Sequence, residues 1–565
     1  MARLCCKMFR YVVFICLAVG TPRSSLAAQV NPSSALPVFI FQTAGQAVHD
    51  RTRVSGFLTI LDSDLAAPGG FTPSDASGRA ELSARGNSSF YYAKKSYRLE
   101  LQSEQGRDRK APLLGMPTDS DWVLYASVTD RTFARNLLGH ELWRSTGRYA
   151  VRWRFVELFV ITNTPPAPVV TRELAGKELV PVLNAMTLTN PAAAALNFSN
   201  AHNTVAFTLA GSYRGVYVLM EKLKRGRDRV DIKRLRPEHT QEPEISGGYI
   251  IKKDDKGRGQ RGLLTGQEFR LRYEEPAESE LTSTQMKWMA KYLDDYEKAL
   301  FSQSFRDPAN GYRKFIEMDS FVDFHWLVEI AKNADGFLFS QYMHKDRGGK
   351  LTMGPVWDWD NAFGNPHFQG QQTNRWRFES AAELDYTWYR RLFEDPDFLQ
   401  RYMDRWSEWR TNVLATSNVL ALVDRIASVP LPAQQRNALL WEREGVHASQ
   451  RAQAGVSYKD EVTALKEWLT GRLAWIDSQD YPKPVAQVLP PSQEGPRRLA
   501  LVWITGRAFY TVDGSDPRAP GGGVVTTAIE YTAPVPVTTN TRITARVRSN
   551  FGLWSSPTRV TISAP

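Results

Sequence analysis

Cysteine is almost absent from this 565-residue chain, and the three present, Cys5, Cys6 and Cys16, all stand near the N-terminus. A chain cleaved after that stretch carries no thiol, which excludes disulfides, zinc–thiolate sites and a cysteine nucleophile together. Histidine is scarce as well, at eight residues, with no pair at zinc-ligand spacing, and His325 and His344 read as structural. Long apolar runs are missing: the N-terminal run Tyr11–Gly20 falls short of the roughly 20 residues a spanning helix needs. Concentrated charge of one sign is missing too. The basic clusters Lys222–Arg229 and Lys252–Arg261 are interrupted by Asp228, Asp254 and Asp255, which reads as a solvated face and argues against nucleic acid as a partner.

What the N-terminus does have is an address. Arg3, Lys7 and Arg10 precede Tyr11–Gly20, and Ser25-Leu26-Ala27 or Leu26-Ala27-Ala28 offers a small-residue cleavage site, so residues 1–28 read as a secretory signal peptide. Ile15 stands before Cys16 where a lipid-anchor signal wants a small residue. The expected destination is the periplasm, the cell surface or the medium, with no stable membrane span after cleavage. Losing Arg3, Lys7, Arg10 and Arg23 with the signal lowers the formal charge from +11 to +7. The remainder, 42% hydrophobic and 23% charged overall, has the composition of a globular protein and exceeds what one core usually organises, so two or more domains are expected.

The first half reads as strands. Leu36–Leu61 holds two apolar, β-branched runs, Ala80–Leu101 a strand, the turn Arg85-Gly86-Asn87-Ser88-Ser89 and a second strand from Lys95. Asp130 is placed to cap a helix over Arg131–Thr146, with Gly147 just past its end. Phe155–Ile161 and Gly215–Met220 are further strands, separated by a Pro-, Ala- and Asn-rich insert at 162–203, whose length suits a lid or surface decoration. The second half turns helical: apolar spacing from Thr284 to Arg313, a capping box Ser320-Phe321-Val322-Asp323 opening a helix to about Lys332, and a Trp- and Arg-dense helical stretch over Asp385–Gly471. A Pro-rich linker at 482–498 precedes short alternating strands at 499–565, expected to form a separate small β-sandwich.

Chemistry concentrates in Glu329–Asn365. Ser340–Asp346 and Lys350–Val356 have equal length about the turn Gly348-Gly349 and read as one β-hairpin. Such a hairpin brings Asp335, just before it, back to Asp358 and Asp360, just after it, because paired strands lie only ~5 Å apart. Three carboxylates with the amide of Asn333 make a hard-oxygen site suited to Mg²⁺ or Mn²⁺ that takes phosphate oxygens as its other ligands. Phosphoryl transfer needs just such a metal site, a proton-accepting carboxylate, and donors on the phosphates. The turn at Arg85, Gly86 and Asn87 can cover phosphates with backbone N–H groups, Lys94 and Lys95 follow it, and Glu141 is placed to hold one of them. Each feature also suits a plainer role: Asp358 and Asp360 as turn residues, Arg85–Ser89 as a hairpin turn, the lysines on an edge strand, Glu141 on a solvated helix face.

The motifs RGNSSFYYAKKSYRLEL, LLGMPTDSDWVLYA, DRTFARNLLGHELW, YRGVYVLMEKLKRGRDRVDI, ISGGYIIKKD, KNADGF and MGPVWDWDNAFGN, in this order, resemble the spore-coat-protein-H (CotH) family of atypical protein kinases over roughly 37–470. The resemblance implies an α+β, two-lobed, protein-kinase-like fold over 37–480, with a strand-rich lobe at about 37–250 and a helix-rich lobe at about 251–480. It implies ATP and a divalent metal as cofactors and Ser or Thr of a secreted protein as acceptor. By the same resemblance, Asp335 matches the catalytic acid and Asp358 the metal-binding acid, with Asp360 and Asn333 beside it. Lys95 or Lys94, Arg85, Gly86, Asn87 and Glu141 are carried over to ATP and its phosphates. The tail motif AFYTVDGSDPR, with Tyr531, ITARV and Gly552-Leu553-Trp554-Ser555, resembles the small immunoglobulin-like domain at the C-terminus of chitobiases, which implies contact with a cell surface or polysaccharide. Two other readings stand beside the kinase: a non-catalytic surface or coat protein on the same scaffold, and a glycosidase using Asp335 and Asp358 as its carboxylate pair.

Overall fold

The structure is a computed structural model that describes residues 36–63 except 44, 71–162, 213–254, 262–267, 270–365, 372–443, 457–490 and 496–563, plus the backbone of four short strands outside these ranges. The expected signal peptide and most of the insert at 162–203 lie outside the described residues. The chain forms a mixed α+β protein of two compact units, one comprising 1–138, 151–223 and 423–464, the other 139–150, 224–422 and 465–565.

The first unit is built on one sheet of β1 (Val38–Thr43), β2 (Val54–Ser63), β3 (Phe71–Pro73), β4 (Gly78–Arg85), β5 (Ser96–Leu101), β6 (Asp121–Tyr125), β7 (Trp153–Ile161) and β8 (Tyr213–Glu221). Its order is β1-β7-β8-β6-β5-β4-β2-β3, and β1 also pairs with β2, so the first seven strands in that order close on themselves. Only β1–β7 is parallel among these pairs. Closure removes exposed edges and gives the strands an interior to fill; Phe39, Leu58, Leu82, Leu99, Trp122 and Tyr217 fill it. β8 is buried at all but one position, because a later helix, Leu431–Arg443, lies against it: Trp441 Nε1 donates to the Arg214 carbonyl at 3.0 Å, and Val216 N–H donates to Asn437 Oδ1 at 3.1 Å. Gly215, at φ +93°, makes room, since a Cβ there would sit 2.3 Å from Asn437 Oδ1.

Helix α1 (Arg135–Ser145) begins four residues later than the sequence suggested. Asp130 is still its cap: its carboxylate accepts Thr132 N–H at 3.0 Å and Arg135 N–H at 2.8 Å, and pairs with the Arg135 guanidinium at 2.6 Å. Holding Arg131–Ala134 in a turn is what delays the helix. Gly147, at φ +87°, follows its end as expected.

In the second unit, β9 (Tyr249–Lys253), β10 (Leu263–Leu264), β11 (Arg270–Glu275), β12 (Gln341–Lys345) and β13 (Thr352–Met353) form an antiparallel sheet in the order β10-β11-β9-β12-β13. β9 thus crosses the domain boundary expected at 250/251 and sits mid-sheet. Helix α2 (Ser283–Phe301), with a capping box at Thr282 and Gln285, carries the first part of the helical run expected over Thr284–Arg313, and the rest is turns. Helix α3 (Met318–Ala331) starts ahead of the expected capping box: Glu317 is its cap and accepts Ser320 N–H at 2.8 Å. Ser320 instead uses Oγ to accept the Met353 N–H at 2.9 Å, and buried Asp323 pairs with Arg148 and Arg405.

The helices α4 (Glu383–Leu392), α5 (Pro396–Arg410), α6 (Thr416–Ser428), α7 (Leu431–Arg443) and α8 (Tyr458–Asp477) bear out the helical reading of Asp385–Gly471. Beyond them, β14 (Val485–Leu489), β15 (Arg498–Val502) and β18 (Val535–Pro536) form one small sheet, and β16 (Arg507–Thr511), β17 (Ile529–Glu530), β19 (Arg542–Arg548) and β20 (Thr558–Thr561) a second. Leu499, Leu501, Tyr510, Val535, Ile543 and Ala545 form their common core. The segment expected as a linker supplies β14, paired with β15 along its whole length. The tail is also fixed to α5: buried Arg546 donates to both carboxylate oxygens of Asp404 at 2.7 Å while holding Asp516, and Arg518 pairs with Asp397 at 2.7 Å. An arginine buried between two carboxylates is costly to separate from them, so this tail is not a freely tethered module.

Candidate functional site

The expected hairpin exists with one short arm. His344 opposes Thr352 and Met343 opposes Met353. Gly354 N–H still donates to the Tyr342 carbonyl at 2.8 Å. There the ladder stops, at φ +99° and with the Trp143 ring where a Cβ of Gly354 would be, 2.5 Å away. The turn is pinned from below by Lys345, whose ammonium donates to the carbonyls of Ser246 at 2.7 Å and Gly349 at 2.8 Å under the rings of Trp288 and Tyr292.

The loops before and after the hairpin do meet. Lys332 ends α3 in the left-handed region, at φ 45°, and turns the chain sharply. Asn333 is buried, accepting Asp335 N–H on Oδ1 at 3.0 Å and donating from Nδ2 to the Asp358 carbonyl at 3.4 Å. Phe363 N–H donates to the Ala331 carbonyl at 2.7 Å, and Ala334 N–H to the Asn361 carbonyl at 3.4 Å. Asn361 Nδ2 reaches Asp335 Oδ2 at 3.4 Å. Four contacts thus join 331–335 to 358–363, and one of them reaches the Asp335 carboxylate.

The three acids do not share one cage. Among the described residues no three Asp, Glu, His or Cys side chains are gathered to hold a metal ion. Asp358 adopts φ 68°, a left-handed conformation uncommon outside glycine, and is exposed, while its neighbour Trp359 is buried against Gly139 of α1, where a Cβ would sit 2.4 Å from the indole. Asp360 is half-buried, its carbonyl accepting Asn365 Nδ2 at 2.6 Å. Strained backbone at a polar loop fits a ligand-binding role.

A network the sequence reading missed holds this joint. Glu329, fully buried on α3, accepts N–H bonds from Arg377 at 2.6 Å and Phe378 at 2.9 Å and faces fully buried Arg472 at 3.3 Å. Arg377 in turn donates from Nε to the Asn333 carbonyl at 2.9 Å and from Nη2 to the Ala334 carbonyl. Arg472 donates to the Glu329 carbonyl and to those of Thr373 and Arg375. Burial pushes the Glu329 carboxyl up to about 7 against the pull of its N–H donors and of Arg472, and brings the Lys332 ammonium down to about 8. Arg377 and Arg472 lie far from Asp335 in sequence, and no local pattern marks them. Asn361 was within sight, directly after the two acids.

The expected residues of the first unit have other company. Gly86 connects β4 to the 3₁₀ turn Ser88–Tyr91 at φ +121°, and Arg51 donates to its carbonyl at 2.9 Å. Arg85 ends β4 and Asn87 is exposed. Lys95 bends back to the Phe90 carbonyl, its ammonium 4.9 Å from the Phe90 ring. Lys94 is fully enclosed, donating to the Val216 carbonyl at 2.6 Å and Asn437 Oδ1 at 3.0 Å beside the Tyr217 ring. Desolvation holds its amine well below the usual lysine range. In the second unit, Glu141 on α1 pairs with Arg144 one turn on.

The donors around the joint suit a hard divalent cation. They are all oxygens, from Asp335, Asp358, Asp360 and Asn361, and Asn361 Oδ1 is buried with no hydrogen-bond partner. An orphaned buried carbonyl oxygen is a cost that a bound cation or its water relieves. Mg²⁺ is commonly held by one or two carboxylates, keeping waters and taking phosphate oxygens in preference to an all-protein cage.

The sequence pattern described as CotH kinase protein matches residues 82–165 and 191–476, more than half of the chain, and the chain belongs to that family. The break between 165 and 191 falls inside the insert at 162–203, and the tail beyond 476 is unmatched. No curated protein matches the chain.

Proposed function

We propose that this protein is an exported protein kinase that moves the γ-phosphoryl group of ATP to a serine or threonine hydroxyl of an extracytoplasmic protein. Family membership supports kinase chemistry in general, and the observation that carries the residue roles is the bonded joint between 331–335 and 358–363. Asp335 orients the acceptor hydroxyl and takes its proton as the oxygen–phosphorus bond forms and the bond to the bridging β–γ oxygen breaks, releasing ADP. Asp358, Asp360 and the orphaned Asn361 oxygen hold Mg²⁺ or Mn²⁺, and Asn333 sets the spacing of the two loops. The cation, when bound, neutralises charge on the phosphate oxygens. Lys95 is the lysine assigned to the phosphates. Lys94 is assigned to architecture, because a desolvated, fully satisfied amine is poorly placed to meet a nucleotide.

The signal-like N-terminus supports export, and the tail's likeness to the C-terminal domain of chitobiases supports an immunoglobulin-like module turned to the cell surface. The decisive experiment is labelling with γ-labelled ATP and Mn²⁺, comparing wild type with Asp358→Ala and Asp335→Asn. Labelling of wild type and its loss in both variants is expected. Full labelling by Asp358→Ala overturns the metal assignment. A wild type that neither labels nor melts higher with millimolar ATP and Mn²⁺ favours the non-catalytic surface protein, because a bound ligand must stabilise the fold by mass action.

A further inference from the structure

The tail has one end that water should not tolerate. Phe551 is 94% exposed and Ile504 82% exposed, at the tips of two loops. The loops are neighbours by register: Arg507, where the first re-enters β16, pairs across the sheet with Arg548, where the second leaves β19. Gly506 packs so tightly on the second strand that a Cβ would lie 2.5 Å from the Arg548 carbonyl. Val485 and Val502, also largely exposed, form a cross-strand pair at the point where β15 runs into the Ile504 loop, and exposed Leu553 follows Phe551.

Both tips are built rather than loose. Trp503 folds back, its indole N–H donating to the Gly506 carbonyl at 2.9 Å and its ring packing on Tyr531, which leaves Ile504 facing outward. Ser549 N–H closes the second turn on the Leu553 carbonyl at 2.7 Å, with Gly552 at φ +84°. Residues 497–563 contain eight arginines and no lysine against Asp513, Asp516 and Glu530. Arg546 consumes Asp516, Asp513 is taken up by its own turn at Ser515, and Arg507 pairs with Glu530. Arg518 is taken up by Asp397; of the rest, Arg548 stands with Arg507 at the base of the tips, while Arg498 and Arg542 stand at the far ends of β15 and β19.

We propose that these tips insert into an anionic lipid surface, with Phe551 and Ile504 as anchors and Arg507 and Arg548 held at the headgroups. Apolar side chains at the end of a positively charged body are the signature of interfacial membrane binding. Apart from Phe551, the exposed tip residues Val485, Val502, Ile504 and Leu553 are aliphatic and offer a sugar ring no flat face, and two protruding tips make a poor match for a protein surface, which needs a broad complementary patch. The inference rests on the tail alone and is independent of any kinase activity.

The test uses the full chain with Cys5, Cys6 and Cys16 changed to Ser and a single environment-sensitive dye on Phe551→Cys. On vesicles of phosphatidylglycerol and phosphatidylcholine the dye emission shifts to the blue and brightens, and on phosphatidylcholine alone it does so weakly or not at all. In co-sedimentation, Ile504→Ser combined with Phe551→Ser weakens binding to the anionic vesicles by roughly tenfold while the melting temperature stays that of the wild type. A dye that stays water-like on vesicles that bind the protein overturns the proposal. So does a blue shift without lipid, which would mean that a second copy covers the tip, or binding to insoluble polysaccharide in place of vesicles.

Discussion

The joint between 331–335 and 358–363 and the turn at 85–95 both crowd polar residues at the ends of regular elements, and the fold treats them differently. At the joint the side chains bond across the gap between two loops, with Asn333, Asn361 and the Asp335 carboxylate linking segments about 25 residues apart. At the turn buried Lys94 is spent on its own unit, on Val216 and Asn437, while half-buried Lys95 bends back to the carbonyl of Phe90. Polar density in sequence marks where hydrogen-bonding capacity must be used. Whether that capacity is turned to the protein or left for a ligand depends on what the rest of the chain packs against it.

The largest effect that separates the two regions is catalytic. Asp358→Ala should remove metal-dependent phosphoryl transfer, and Asp335→Asn should lower it by roughly 10²–10⁴, read as label incorporated per minute, with the melting temperature within a few degrees of wild type. Loss of activity through unfolding alone would remove the distinction drawn for the joint.

Next in size is the support beneath it. Arg472→Met leaves buried Glu329 with its arginine partner gone and should cost about 3–5 kcal/mol of stability, measured by urea unfolding. A cost under about 1 kcal/mol would mean that the joint does not depend on this pair.

The two lysines sharpen the contrast from the other side. Lys94→Met keeps the aliphatic packing and removes an amine whose charge burial disfavours, so stability should change by about 1 kcal/mol or less and activity should persist. Lys95→Ala should leave the fold intact and lower activity at least about tenfold, chiefly through weaker ATP dependence. The reverse outcome, activity lost with Lys94 and kept without Lys95, exchanges their assignments.

The smallest effects lie in the pH dependence. Burial holds the imidazole of His325 down to about 3 in a box where Tyr402 and Tyr386 hydroxyls meet its two nitrogens at 2.9 and 2.7 Å. Its folded value is depressed, so the stability it contributes is present above about 6.5 and is lost as pH falls toward 3. Glu329 runs the other way: its folded value is raised to about 7, so its contribution is present below about 4.5 and is lost as pH rises through 7. Each changes the slope of unfolding free energy by up to about 1.4 kcal/mol per pH unit within its window. His325→Phe should therefore flatten the loss on acidification and Glu329→Gln the loss on alkalinisation, whatever each does to absolute stability. Equal slopes in wild type and variants would show that neither group changes protonation on unfolding.

Periodicity and turn chemistry foretold much of the local structure. β1, β2, β4, β5, β7, β8 and the start of α2 lie close to where the runs placed them, because alternation and helical spacing are written within a few residues. The misplacements have a common physical form. α1 starts late because Asp130 closes a turn before it caps a helix. The Ser320–Asp323 box is no cap because the helix already began at Met318, freeing Ser320 for the hairpin and Asp323 for two arginines. The linker became β14 because a tail strand at Arg498–Val502 had an edge to pair.

By itself the sequence determined that an acidic pair and an acid upstream of it flank one hairpin, and that the chain carries the CotH pattern, since both are facts of order and spacing. The tertiary structure alone decided which of those groups meet. Trp359 buries against Gly139, Arg377 arrives from a distant segment to hold the carbonyls of Asn333 and Ala334, Arg472 arrives from another to hold Glu329, and Asn361 is left with an oxygen in need of a partner. Burial and long-range hydrogen bonds are set by what packs from afar, and no window of neighbouring residues contains that information.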